Sequence, residues 1–199
     1  MLTRPSSSHE LRIVLEPVRS LFTIGHGTLP AADFVALLRA APIERLVDVR
    51  SIPKSRHNPQ FVGEALAQTL AESGIAYALE LRLGGLRGKP AGGSPDIALQ
   101  NERFRNYAAH MRTEPFRAAL FEVLREAARA PTAIMCSESV WWRCHRRLIS
   151  DHVTLIERLP VEHIMHDGRL APHRPTDAAR ISENDVVYDV IDAQLPLTP

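Results

Sequence analysis

The stretch from residue 134 to 152, IMCSESVWWRCHRRLISDH, holds both cysteines of the chain, together with a glutamate, two histidines, both tryptophans and three arginines. These residue types can do nucleophilic, acid–base and anion-binding chemistry. Cys136 ends the apolar run TAIMC, which reads as a buried strand, so its thiol meets the loop and helix that follow. A helix N-terminus and nearby guanidinium groups stabilise a thiolate, which makes Cys136 a candidate nucleophile. Glu138 comes two positions later and shares that side if the strand continues. It is a candidate general base, or the ion partner of Arg50 or Arg146. Cys144, His145 and Arg146 begin the next helix, where His145 suits a general base and Cys144 and Arg146 suit contact with an anion. The plainer alternative is a core thiol at Cys136 and a helix cap at His145.

The same residues have rival uses. Structural zinc favours paired cysteines at short spacing and four ligands. Neighbouring Cys144 and His145 are not expected to face one ion, so no metal ligands and no cofactor are assigned. A Cys136–Cys144 disulfide acting as a redox switch is a second rival.

Two further clusters lie near the start of the domain. In VDVRSIPKSRHNP, Asp48 and Arg50 point the same way by the period of two, and the prolines restrict the loop that carries Arg56 and His57. Asp48, Arg50 and Arg56 are therefore candidate substrate-binding residues. In TIGHG, Gly25 and Gly27 let the backbone approach a ligand, with His26 between them as a further contact. Arg87 and Lys89 sit on the glycine-rich LGGLRGK, which reads as a flap over an anion.

These clusters need a scaffold. Strands are expected at LFTIG, ERLVDVRS, IAYALEL, TAIMC and VEHIM. Helices are expected at AADFVALLRAA, FVGEALAQTLAES, NERFRNYAAHM, PFRAALFEVLREAARA and Cys144 to Leu159. Strands alternating with helices predict an α/β fold, three-layer α/β/α with a mostly parallel sheet of about five strands and a C-terminal hairpin. The hairpin is placed at HDGRLAPH, with Asp-Gly at its turn. Residues 1–20 read as an N-terminal extension, 21–174 as a single α/β domain, and 175–199 as a tail in which DVVYDVI adds a strand or docks on a partner. Because ligands sit at the carboxyl ends of strands in such sheets, TIGHG, VDVRS, LGG and MCSE should gather on one rim.

Several of these motifs together resemble the bacterial proteins grouped as domain of unknown function 488. They are TIGHG, LVDVRSIPKSRHNPQF, LGGLRG, NERFRNYAAHM, MCSE with CHRRLI, and HIMHDGRLAPH. The resemblance covers about residues 21 to 174 and is sharpest in Cys-x-Glu-x(5)-Cys-His-Arg, met by Cys136, Glu138, Cys144, His145 and Arg146. It implies no activity. The layout is also distantly similar to rhodanese-type sulfurtransferases. Tyrosine phosphatases need an arginine where this chain has Trp142.

Composition narrows the function. The net charge of +1 excludes a general basic field for coating nucleic acid. Apart from Lys54 and Lys89, all of the 24 cationic residues are arginine, a side chain that recognises phosphate or carboxylate bidentately. Two cysteines are too few for a disulfide framework, and no signal peptide or membrane span is legible, which leads us to expect a cytoplasmic protein. The leading expectation is an enzyme acting on a phosphate-bearing, nucleotide or nucleic-acid related substrate, with Trp141 and Trp142 available to stack on a base. The alternatives are a non-catalytic nucleotide or nucleic-acid binding module, and a thiol-based sulfur-transfer or redox protein. The partner expected in either of the first two is an anionic small molecule or a nucleic acid, not a membrane.

Overall fold

The computed structural model describes residues 20–190, so nearly all of the N-terminal extension and residues 191–199 of the tail lie outside the described residues. Five strands run parallel: β1 (Leu21–Gly25), β2 (Arg45–Asp48), β3 (Ala76–Leu79), β4 (Thr132–Cys136) and β5 (Val161–Ile164). A sixth, β6 (Leu170–Pro172), pairs antiparallel with β5, and the sheet order is β3-β2-β4-β1-β5-β6. The extra strand is the return arm of the hairpin read at HDGRLAPH. Its turn holds Asp167 and Gly168, and Gly168 takes a φ of 83° that a side chain would resist. A second hairpin, β7 (Ala179–Ser182) with β8 (Asp185–Tyr188), forms a separate two-stranded sheet and takes in most of DVVYDVI.

Helices cover both faces. α1 (Ala31–Ala40) and α2 (Gly63–Glu72) pack on one side, where Phe34, Leu38, Leu66 and Leu70 meet Ile24, Leu46, Ala133 and Met135 of the sheet. α3 (Glu102–Met111), α4 (Glu114–Ala127) and α5 (Arg146–Leu155) cover the other, with Tyr107, Phe116, Leu120 and Ile149 against Val47 and Ile134. Alternation within a strand is visible directly: Ala133 and Met135 face α1 and α2, and Ile134 between them faces α5. Each such large apolar side chain, buried fully, contributes about 1.5–3 kcal/mol.

Local chemistry sets the helix ends. The Asn101 side chain accepts from the Arg103 amide at 2.9 Å and caps α3. Pro115 lies in the first turn of α4, where its missing N–H costs nothing. α5 begins later than the sequence suggests, because residues 141–143 wind into a 3-10 turn and Cys144 is extended. It also stops earlier, at Leu155, before Arg158 with its φ of 58° and Pro160.

The glycine-rich segment expected as a flap is tied to the body. Arg87 in it donates to the Leu81 and Arg82 carbonyls, and just beyond it the fully buried Asp96 accepts from the Arg112 guanidinium at 2.6 and 3.1 Å and from the Tyr188 amide at 3.1 Å. Among the described residues no helix is long and apolar enough to cross a membrane.

Candidate functional site

At the carboxyl ends of β1, β2 and β4 a cavity of about 570 Å³ opens to solvent. That volume suits a small ligand. His26, Arg50, Gly85, Cys136, Glu138 and His145 all line it, so the four segments expected on one rim do meet there. They arrive from opposite faces of the sheet. Cys136 continues the face of Ile134, toward α5, whereas Asp48 and Arg50 continue the face of Leu46, toward α1 and α2. Only beyond the strand ends can the two sets approach each other.

The floor is a thiol–imidazole cluster. His145 places Nε2 3.1 Å from the Val49 carbonyl oxygen, an acceptor only, so Nε2 carries the proton and donates. Nδ1 faces the two thiols, 3.5 Å from Cys144 Sγ and 3.8 Å from Cys136 Sγ. Gly85 makes this possible, because a Cβ there would stand 2.6 Å from Nδ1. Tyr107 packs edge-on against the ring at 4.9 Å while its hydroxyl donates to the Leu83 carbonyl at 2.8 Å. It is thus a core residue that also braces the site. The premise that Cys144 and His145 cannot face a common point does not hold: the extended backbone at Cys144 turns its sulfur toward the neighbouring ring.

The two thiols differ in acidity. The adjacent Cys144 sulfur and burial push Cys136 up to about 12. Burial opposes ionisation of Cys144 as well, but the thiol of Cys136 and the charge of Arg146 outweigh it and bring Cys144 down to about 6. Arg146 explains this asymmetry. It is 1% exposed, and none of its hydrogen-bond partners is a carboxylate. Its guanidinium donates to the Glu138 carbonyl at 2.5 Å, to Thr23 Oγ1 at 3.3 Å and to Cys144 Sγ at 3.5 Å. A guanidinium stays charged, and of these partners Cys144 is the one that can ionise. The thiolate thus falls on Cys144 rather than on Cys136, the residue favoured by sequence.

Behind Arg146 runs a buried hydrogen-bond chain. Thr23 also bonds His163 Nδ1 at 2.7 Å, His163 Nε2 lies 3.0 Å from His173 Nδ1, and His173 Nε2 lies 2.9 Å from Asp151. Asp151 further accepts from the Thr176 amide, the Thr176 hydroxyl and the Tyr188 hydroxyl. Burial lowers His163 to about 3, so it joins the chain as a neutral imidazole, one nitrogen toward Thr23 and the other toward His173. His163 and His173 open and close the motif HIMHDGRLAPH, but nothing in the sequence linked them to Thr23 or Asp151, because the members come from β1, β5, α5 and the segment after β6.

The second constellation is a braced guanidinium. Arg50 Nε donates to Asp48 Oδ1 at 2.8 Å and Nη2 to Oδ2 at 2.5 Å, while Nη1 lies 3.2 Å from His26 Nε2. His26 Nδ1 donates to the Gly27 carbonyl at 2.8 Å, and its ring stacks on Phe61 at 4.1 Å. Burial lowers His26 to about 4, so it is a neutral acceptor for Arg50. Asp48 is fully buried, does not line the cavity, and accepts from Tyr77 Oη at 2.9 Å. It therefore acts through Arg50 and cannot touch a ligand itself.

Other expected residues are placed differently. Arg146 is sealed behind the floor and does not line the cavity, so direct anion contact is not its role. Arg56 is exposed and lines a neighbouring cleft with Pro53, Val62 and Tyr77. The Glu138 carboxylate, at the exposed lip, is not the ion partner of Arg50 or Arg146: Arg50 takes Asp48, and Arg146 takes the backbone oxygen of Glu138. Arg87 donates to the carbonyls of Leu81 and Arg82 instead of closing over an anion, and Lys89 lines a separate cleft. Trp141 is stacked on His163 at 4.1 Å, and neither it nor Trp142 lines the cavity. In their place Lys54, Arg103 and Arg143, all exposed, stand around the opening, with no ion-pair partner among the described residues. Arg103 comes from the start of α3, a position that only the folded chain reveals.

Fold and site together define a three-layer α/β domain with a cationic cavity over a cysteine–histidine floor. The chain belongs to the family described as Domain of unknown function DUF488, which matches residues 30–153, more than half of its length. No curated protein and no solved structure matches it.

Proposed function

We propose that the protein is an enzyme acting on an anionic substrate, phosphate-bearing and of nucleotide or nucleic-acid type, in the cavity at the carboxyl edge of the sheet. One observation carries the reading: Arg50, Lys54, Arg103 and Arg143 line the same small cavity as Cys136, Cys144 and His145. The exposed cations collect and orient the anion. Arg50, held in one pose by Asp48 and His26, offers the N–H groups those partners leave over. The reacting groups are the floor cluster and the Glu138 carboxylate at the lip. A binding module without chemistry would leave the buried thiols and the tautomer-fixed imidazole without a purpose, although desolvating such groups costs stability.

The test is calorimetric titration with inorganic pyrophosphate and a nucleoside diphosphate at low ionic strength. Binding is expected to weaken with added salt, and to weaken by at least about tenfold when Lys54→Ala and Arg143→Ala are combined. If neither probe binds, or if the double variant binds as the parent does, an anionic substrate is ruled out. Incubation with a nucleotide panel, read by mass spectrometry against His145→Ala, tests the chemical half. Tight binding with no product from any member would make the protein a binding module instead.

A further inference from the structure

Three soft donor atoms, Cys136 Sγ, Cys144 Sγ and His145 Nδ1, lie within 4.8 Å of one another, and all three residues are buried. Around a tetrahedral zinc ion, with Zn–S of about 2.3 Å and Zn–N of about 2.0–2.1 Å, neighbouring donors stand about 3.5–3.8 Å apart. Nδ1 lies 3.5 Å from one sulfur and 3.8 Å from the other. The imidazole is also prepared as a ligand. Its Nε2–H is donated to the Val49 carbonyl, the kind of outer contact that orients a ligating histidine, and this leaves Nδ1 as the ring nitrogen within reach of both sulfurs. Arg146 adds an N–H directed at Cys144 Sγ.

We propose that Cys136, Cys144 and His145 bind a thiophilic divalent cation of the zinc class, with its fourth position open to the cavity. Thiolate and imidazole donors in tetrahedral array select zinc over magnesium or calcium. Binding requires both sulfurs as thiolates, so any thiol proton still present is released to solvent. Two thiolates cancel the ion's charge, so the nearby arginines do not repel it. Each of the three ligands lines the cavity, so the remaining position faces the space assigned above to the anion. There the ion polarises a substrate oxygen, a role that rests on the proposed function; the binding site itself does not.

The experiment uses the full chain, stripped with chelator and titrated with cobalt(II), then assayed for zinc after re-loading. The expected result is about one equivalent of metal per chain, with the sulfur-to-cobalt charge-transfer and strong visible bands of a tetrahedral thiolate site. Cys144→Ser should lower the charge-transfer intensity by about half and weaken zinc binding by at least about a hundredfold. Circular dichroism reports whether that variant is folded, and Cys136→Ser serves as the second variant. Absence of the charge-transfer band in the parent protein overturns the proposal whatever the variants do, and so does zinc binding that survives both serine substitutions. Pyrophosphate titration of the stripped protein separates the two ideas. Retained anion binding without a metal site would leave the proposed substrate class standing, whereas metal binding without anion binding would remove that class alone.

Discussion

Asp48→Asn is the substitution whose cost can be worked most closely from the geometry. The carboxylate is fully buried and accepts from the Arg50 amide at 3.0 Å, from its Nε and Nη2, and from Tyr77 Oη. Arg50 is 5% exposed, so the little water that reaches it from the cavity compensates only part of the lost charge. Removing one member of a buried pair costs about 3–5 kcal/mol, chiefly because the other charge remains buried. Asparagine keeps one acceptor oxygen but turns donors toward the guanidinium, which places the expected cost near about 3 kcal/mol. For a chain of this size that lowers Tm by about 6–12 °C. Arg50→Met should cost a similar amount, since it strands the carboxylate. The double variant strands neither charge, so its cost should fall short of the sum by about 2–3 kcal/mol. Urea unfolding followed by far-UV circular dichroism, with chelator present throughout, measures all three. A cost for Asp48→Asn below about 1 kcal/mol, or additivity within about 0.5 kcal/mol, would refute the view that Asp48 exists to hold Arg50.

Two further outcomes follow from the same structure. Burial lowers His152 to about 4 and His163 to about 3 from an ordinary 6.5, so the unfolded chain binds protons more readily than the folded one. Stability is then complete above that ordinary value and is lost as pH falls through it, by about 4 kcal/mol for the pair near about pH 5. Denaturant melts across pH should show the slope, and His152→Gln should flatten it. Gly85→Ala puts a Cβ 2.6 Å from His145 Nδ1, against a ring already held by Val49 and Tyr107. A cost of about 1–3 kcal/mol and shifted His145 ring resonances in NMR are expected; a cost near zero would mean that the ring moves freely.

Much of the scaffold could be read from the chain because periodicity is local. The alternation in ERLVDVRS and TAIMC and the apolar stripe of PFRAALFEVLREAARA depend on neighbours a few residues away, and the strands and helices formed there. The Asp48–Arg50 pair was legible for the same reason, being two residues apart on one strand face. The sixth strand, Leu170–Pro172, was legible only as the return arm of the hairpin at HDGRLAPH, since three residues ending in proline are too few to show a period of their own. The family, too, could be recognised from ordered motifs, since these are properties of the sequence alone.

Which atoms meet inside the site was decided elsewhere. Arg146 finds Thr23 across 123 residues, and His145 finds the Val49 carbonyl across 96. No local pattern encodes such partners, because they depend on how parallel strands are ordered and on where each loop leaves the sheet edge. Tertiary packing moved the favoured thiolate from Cys136 to Cys144, sealed Arg146 behind the floor, and set Lys54, Arg103 and Arg143 around the opening. The sequence by itself determined that thiols, an imidazole and guanidinium groups would gather at one rim, since strand ends in a parallel sheet share an edge. Their charge states and contacts needed the folded molecule, because electrostatic strength and hydrogen-bond direction depend on separation and burial in space rather than on order along the chain.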